Sequence, residues 1–196
     1  FTVVATDAGL PSARTAEKAL TITVVPPPTI AAADLPDGTT TVVYTTTTLS
    51  ASGGASPYTW SIASGALPAG LSLSSGGTIS GTPTATGTAS VTIRVTGSNG
   101  GTSTRSFSIR VAAPLSVSTG SLANASLGTA YSQVVASSGG QAPITWTLKA
   151  GSALPDGLSL SSGGTVSGTP TTAGSTTFTV VATDAGLPSA RTAEKA

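Results

Sequence analysis

The sequence predicts an all-β chain of tandem β-sandwiches, on three observations. The stretch Leu67-Pro-Ala-Gly-Leu-Ser-Leu-Ser-Ser-Gly-Gly-Thr-Ile-Ser-Gly-Thr-Pro83 returns 87 positions later, with Leu67 against Leu154, and differs only at Ala69/Asp156 and Ile79/Val166. Self-similarity at a fixed period marks repeated structural units. Short apolar runs alternate with Ser and Thr throughout, the pattern of strands with one buried face. β-Branched residues dominate, and they favour half-buried pleated surfaces over helices.

The repeated stretch reads as strand, turn, strand. Leu67-Pro-Ala-Gly70 is a turn, proline presetting φ and glycine free to take a positive one. Leu71 and Leu73 alternate with serines, Ser74-Ser-Gly-Gly77 has hairpin length, and Thr78-Ile-Ser80 resumes the alternation with Ile79 inward. Pro83 ends ladder pairing because it has no N–H to donate. Nothing in the stretch is nucleophilic, basic or metal-seeking.

Taken in order, Phe1–Asp7 is a strand, Ala8–Ser12 a loop, and 13–25 a second strand, clearest in Leu20-Thr-Ile-Thr-Val-Val25. Pro26-Pro-Pro28 is a stiff spacer. Strands are then expected near 29–33, 41–51, 58–63, 71–73, 78–80, 89–96 and 102–111. Seven short strands with turn signals between them indicate a sandwich of the immunoglobulin type. The series repeats at 115–118, 130–137, 144–150, 158–160, 165–167, 176–183 and from Ala190 onward. The expected division is a terminal hairpin of a preceding module over 1–25, a first module over 26–112, and a second over 113–196 with its last strand incomplete.

Composition narrows the function classes. The 196 residues carry a formal net charge of +1, with 24 Gly and 13 Pro and no His, Cys or Met. That removes His and Cys as metal ligands, excludes disulfides, and excludes His- or Cys-based nucleophilic catalysis. A near-neutral balance gives no electrostatic footprint for nucleic acid or an anionic membrane. No apolar run approaches the roughly 18–20 residues that span a bilayer. The Ser/Thr/Gly-rich, lysine-poor composition resembles that of bacterial surface repeats more than that of a cytosolic enzyme.

A second identity links the two ends. Phe178-Thr-Val-Val-Ala-Thr-Asp-Ala-Gly-Leu-Pro-Ser-Ala-Arg-Thr-Ala-Glu-Lys-Ala196 is identical to Phe1–Ala19, 177 positions apart. Two readings are open: a window on a longer tandem array, or subunits that exchange terminal strands. The N-terminal segment duplicates a strand that the last module already has, which favours the array.

Ala51-Ser-Gly-Gly-Ala-Ser-Pro-Tyr-Thr-Trp60, Leu67-Pro-Ala-Gly-Leu71, Gly77-Thr-Ile-Ser-Gly-Thr-Pro83 and the valine-rich Ser90–Thr96 together resemble the bacterial immunoglobulin-like repeats of the He-PIG group, with their cadherin-like relatives. The second module matches through Ala136-Ser-Ser-Gly-Gly-Gln-Ala-Pro-Ile-Thr-Trp146, Leu154–Pro170 and Phe178–Asp184. The resemblance covers essentially the whole chain. It implies tandem seven-stranded immunoglobulin-like β-sandwiches within large secreted or cell-surface bacterial proteins, acting as stalks, spacers or adhesive repeats.

Individual residues add little chemistry. Trp60 and Trp146 occupy matched places on the third strand, where a core tryptophan is expected rather than a glycan-stacking platform. Tyr44 and Tyr131 are matched packing residues with a satisfied hydroxyl. Asp7 and Asp184 stand where cadherin-like relatives place a calcium ligand. The other aspartates are only Asp34, Asp37 and Asp156, and the first module has Gly97 at that place, so a turn-forming role is expected. The threonines of 39–41 and 45–48 suit a strand, against an ice-templating or glycan-bearing array. Asn124-Ala-Ser126 is an N-glycosylation sequon, a short pattern with a high chance rate. Glu17, Lys18, Glu194 and Lys195 read as solvated charges, and no carboxylate pair shares a repeated motif.

The expectation is a structural repeat region of an extracellular stalk, fibre or filament on a bacterial surface. It needs no catalytic, cofactor-binding or metal site and no cofactor, and its partners are neighbouring copies of the same repeat, end to end. The alternative is an adhesive module that binds glycan or protein through end loops. The loops here are mostly Gly, Ser and Ala, without the aromatic or charged cluster that adhesion would use.

Overall fold

The computed structural model describes every residue except Leu10, Pro11, Ala13, Ala32, Ala33 and 187–189. Parts of the expected loop 8–12 and of the expected strands 13–25 and 29–33 therefore lie outside the described residues. The described residues contain strands and no helix.

The chain starts with an antiparallel hairpin, β1 (Thr2–Thr6) and β2 (Thr15–Ala19), with Thr2 opposite Ala19 and Thr6 opposite Thr15. Every residue in both strands is exposed. The expected strand over Leu20–Val25 is not formed. The ladder ends with Thr2 opposite Ala19, and beyond it Leu20 N–H donates to Phe1 O.

The first sandwich contains β3 (Thr29–Ile30), β4 (Gly38–Thr39), β5 (Thr47–Thr48), β6 (Ala51–Ser52), β7 (Tyr58–Gly65), β8 (Leu71–Leu73), β9 (Thr78–Gly81), β10 (Gly87–Gly97) and β11 (Thr102–Ala112). One layer runs β4-β11-β10-β7; the other runs β5-β9-β8, with β3 paired to β6 beside it. β4 lies parallel to β11, Gly38 opposite Val111, and the other pairings are antiparallel. The chain pairs with one layer at β4 and crosses to the other at β5. Thr41, between them, has a φ of 66°. Beyond it, the single strand expected over 41–51 is split into β5 and β6, because β5 pairs with β9 and β6 with β3.

The second sandwich contains β12 (Ser116–Val117), β13 (Tyr131–Val134), β14 (Ser137–Ser138), β15 (Thr145–Leu148), β16 (Leu158–Leu160), β17 (Thr165–Gly168), β18 (Val180–Thr183) and β19 (Thr192–Lys195). Its layers are β15-β18-β19 and β13-β17-β16, with β12 paired to β14. The strand expected over 130–137 is split into β13 and β14, again because its two parts pair with different partners. The strand expected from 176 begins only at Val180, where the ladder to β15 and β19 begins.

Each sandwich has its own apolar core. In the first, Ile79, Ile93 and Ile109 are fully buried around Trp60, with Val91, Val95, Phe107 and Val111. The second is smaller: Val135, Val166, Val180 and Ala182 around Trp146. The inward residues of β10 and β11 alternate with exposed ones, as the period of two requires.

Candidate functional site

A buried cluster of polar groups lies where the second sandwich meets the first. β18 ends at Thr183, opposite Thr192 at the start of β19, so Asp184 and Arg191 face each other across the mouth of the connecting loop. Asp184 N–H donates to Arg191 O at 2.9 Å and closes that mouth. The Asp184 side chain is fully buried, and four donors fill its carboxylate. Oδ1 accepts from the N–H groups of Gly186 (3.1 Å) and Arg191 (2.8 Å). Oδ2 accepts from Gln141 N–H (2.9 Å) and Arg191 Nε (2.8 Å). Burial pushes the Asp184 carboxyl up, but the bonds from Arg191, Gly186 and Gln141 outweigh it and hold the group below its ordinary value of 3.8.

Arg191 also reaches out of its own sandwich. Its Nη1 donates to Gly38 O at 3.2 Å and to Thr39 Oγ1. Gly38 and Thr39 form β4, held in register by β11. One guanidinium therefore ties the loop of the second sandwich to a strand of the first, across 153 positions of sequence. Gln141 Nε2 and Arg191 Nη2 are buried in the same region without a hydrogen-bond partner.

The N-terminal hairpin carries the same device. Asp7 Oδ1 accepts from Gly9 N–H at 3.1 Å and Arg14 N–H at 2.8 Å, and Asp7 N–H donates to Arg14 O at 3.0 Å. The bonds to Oδ1 from Arg14 and Gly9 hold the exposed Asp7 carboxyl below its ordinary value as well. The turn geometry is thus set locally and does not need the rest of a sandwich around it.

The residues singled out by sequence fall elsewhere. Trp60 and Trp146 are 7% and 5% exposed, inside the two cores. Each ring rests on a glycine of the repeated stretch. A Cβ on Gly77 would lie 2.8 Å from Trp60 Cδ1, and one on Gly164 2.8 Å from Trp146 Nε1; both glycines have φ near +90°. Tyr44 Oη donates to Pro36 O and Tyr131 Oη to Ala123 O, each at 2.8 Å. Burial, then the Asp37 carboxylate, pushes Tyr44 up to about 12. Tyr131, only half-buried, is also raised by burial.

Asp7 and Asp184 act as loop-closing acceptors, and among the described residues no group of three His, Cys, Asp or Glu converges on one point. The threonine run does not form one array: Thr39 meets Arg191, Thr41 turns, and Thr47 and Thr48 pair with β9. Asn124 is exposed. Glu194 is not simply solvated but pairs with Lys149 at 2.6 Å on the surface. Arg191 was not legible as a joint, although the Asp7–Arg14 spacing, repeated as Asp184–Arg191 across a strand–loop–strand, was available as a signal.

The second sandwich also contains an open cavity of about 620 Å³, lined by Leu122, Tyr131, Val166, Phe178 and the end of β19 at Lys195 and Ala196, among others. The first sandwich has Leu35 and Tyr44 at the places of Leu122 and Tyr131, both buried.

The family model described as "Putative Ig domain" (He_PIG) matches residues 20–112 and again 113–193. A comparison with curated proteins returns no match. Among solved structures, one titled "putative alpha-galactosidase" from Bacteroides fragilis is 28% identical over 47% of this chain and 19% of its own, with a TM-score of 0.38. The extracellular domains 3–5 of Drosophila OTK are 14% identical over 82% of this chain and 57% of theirs, TM-score 0.48. Protocadherin gamma B2 extracellular cadherin domains 3–6 are 18% identical over 98% and 57%, TM-score 0.36. The chain spans about a fifth of the first of these structures and little more than half of the other two.

Proposed function

The chain belongs to the He_PIG family of immunoglobulin-like domains, and from that premise we propose that it is a load-bearing repeat region of an extracellular stalk or fibre on a bacterial surface. The observation that carries this reading is the Arg191 joint. A buried carboxylate aims a guanidinium at the backbone of the preceding sandwich, so consecutive sandwiches are linked by side chains as well as by the peptide chain. The same Asp-to-Arg loop recurs at Asp7 and Arg14, 177 positions earlier in the sequence. The reading divides the chain into 1–25, 26–112 and 113–196, and the two separate cores support it. No step of the reading requires catalysis or a cofactor, and the partners are further copies of the repeat, end to end.

Small-angle scattering on the chain and on Arg191→Ala tests this. The expected result is an elongated particle of fixed length whose interdomain angle broadens in the variant. Identical scattering from both would show that the joint does not set the geometry and would remove the support for a stiff stalk.

A further inference from the structure

Among the described residues one non-glycine has a positive φ, Thr41 at 66°, and it lies two residues beyond the Arg191 contact at Thr39. Val42 N–H closes the turn on Thr39 O at 3.2 Å. A positive φ at the third position alone is the type II arrangement, which calls for glycine there. The second sandwich supplies that glycine. Gly128, 87 positions later, has a φ of 71°. Its turn makes the same bonds: Thr129 N–H to Ser126 O at 3.1 Å, and Gly128 N–H to Pro170 O at 3.0 Å, against Thr41 N–H to Pro83 O at 3.0 Å. The first sandwich therefore holds a β-branched residue in a conformation that such residues disfavour.

Little else fastens that turn to its own sandwich. β4, which leads into it, offers a glycine and a threonine, and pairs with β11 at two positions, Gly38 with Val111 and Thr39 with Ala112. Thr40 N–H adds a bond to Ala112 O at 2.9 Å. Val42 and Val43, after the turn, are 52% and 75% exposed. The buried anchors on either side are Leu35 and Tyr44, and Tyr44 Oη closes the base of the loop on Pro36 O. Between those anchors no apolar side chain is buried. That is the condition for a segment that opens locally while the core stays folded. Arg191 of the second sandwich grips this segment, its Nη1 donating to Gly38 O and Thr39 Oγ1.

We propose that residues 38–43 form a strained latch on the first sandwich, which peels from β11 and Pro83 as a unit and which Arg191 holds shut. Opening relieves the Thr41 backbone. Only the closed latch presents Gly38 O and Thr39 Oγ1 to the guanidinium in one fixed geometry, so Arg191 shifts the balance toward closure. Backbone strain and the joint thus pull in opposite directions on one two-residue strand. This rests on the stalk reading above and adds a regulated step to it. The joint parts by opening the latch, with both cores intact, and reforms when the latch closes. Threonine at position 41 sets how readily it yields, and glycine there would stiffen it.

Amide hydrogen exchange of the 196-residue chain, read residue by residue by NMR and corrected for intrinsic rates, tests this. In Arg191→Ala the amides of Thr40 and Thr41 should exchange about tenfold faster, while Ile93 and Val95 in the central strand β10 keep their rates. In Thr41→Gly the amides of 40 and 41 should exchange about tenfold more slowly. Thr41→Asn accepts a positive φ without glycine's added freedom in the open state, and should shift them the same way. The double variant Arg191→Ala/Thr41→Gly should return close to the parent. Unchanged rates at Thr40 and Thr41 in Arg191→Ala overturn the proposal, because the joint then does not hold the latch. Equal acceleration of Ile93 overturns it by showing that the whole sandwich opens, and no slowing by either Thr41 variant overturns it by removing strain as the opposing force. Scattering separates it from the stalk reading. An interdomain angle that broadens in Arg191→Ala beside unchanged exchange at Thr40 and Thr41 ends the latch and leaves the stalk standing.

Discussion

Arg191 holds Asp184 through two bonds of the same length, its backbone N–H to Oδ1 and its Nε to Oδ2, both at 2.8 Å. The backbone bond closes the loop, and the side-chain bond orients the guanidinium so that Nη1 reaches Gly38 O. The carboxylate therefore acts at a distance: it positions a cation whose second task lies in another sandwich. A lysine at the same place offers a point charge without the planar fork, and cannot make both contacts in one fixed geometry.

Arg191→Ala should lower the stability of the second sandwich by about 1–3 kcal/mol, because it strips bonds from a buried carboxylate. It should also uncouple the two sandwiches, seen as a wider separation of their transitions in calorimetry. Arg191→Lys should recover little of this. Arg14→Ala, on the exposed hairpin, should shift neither transition by more than about 0.5 kcal/mol.

Acid should open the joint. The Asp184 carboxyl is lowered in the folded chain, so its contribution is present above the ordinary value of 3.8 and is lost as pH falls through the lowered folded value. Asp184→Asn should flatten this acid limb in melts between neutral pH and about pH 2. Tyr44 behaves in the opposite sense. Raised from 10.0 to about 12, it favours the folded chain below pH 10, and that contribution is lost as pH rises from there to about 12; Tyr44→Phe should weaken the alkaline limb.

Gly77→Ala and Gly164→Ala should each destabilise their own sandwich by about 1–3 kcal/mol from the unfavourable φ alone. The Cβ contact with the tryptophan ring adds to that. Gly120→Ala, where a Cβ meets nothing within 4 Å, is the control and should melt like the parent. Equal melting of Gly77→Ala and Gly120→Ala would show that the Trp60 ring does not depend on the glycine.

Trp60→Ala should cost the first sandwich about 3–5 kcal/mol, and Trp146→Ala a similar amount in the second. Each variant leaves one tryptophan, so fluorescence then reports a single sandwich. In Trp60→Ala the remaining signal, from Trp146, should follow the unperturbed transition while circular dichroism shows the early loss of the first sandwich. Native-like melting of the whole chain by both probes would take Trp60 out of the core.

The sequence by itself determined the all-β class, the two periods and most of the core. Ile79, Val91, Ile93, Val95, Ile109 and Val166 all lie at inward positions of alternating runs and are all buried. These features are local, because a period of two assigns each side chain to a face before any partner is known. Tertiary structure decided which strand each edge meets. It split 41–51 where the partner strand changes from β9 to β3, left 21–25 outside any strand, and set the Trp60 ring against Gly77. It also made Arg191 a joint rather than one more surface cation. Those outcomes depend on groups far apart in sequence, as Arg191 and Gly38 are, and pattern along the chain specifies a face without specifying what will cover it.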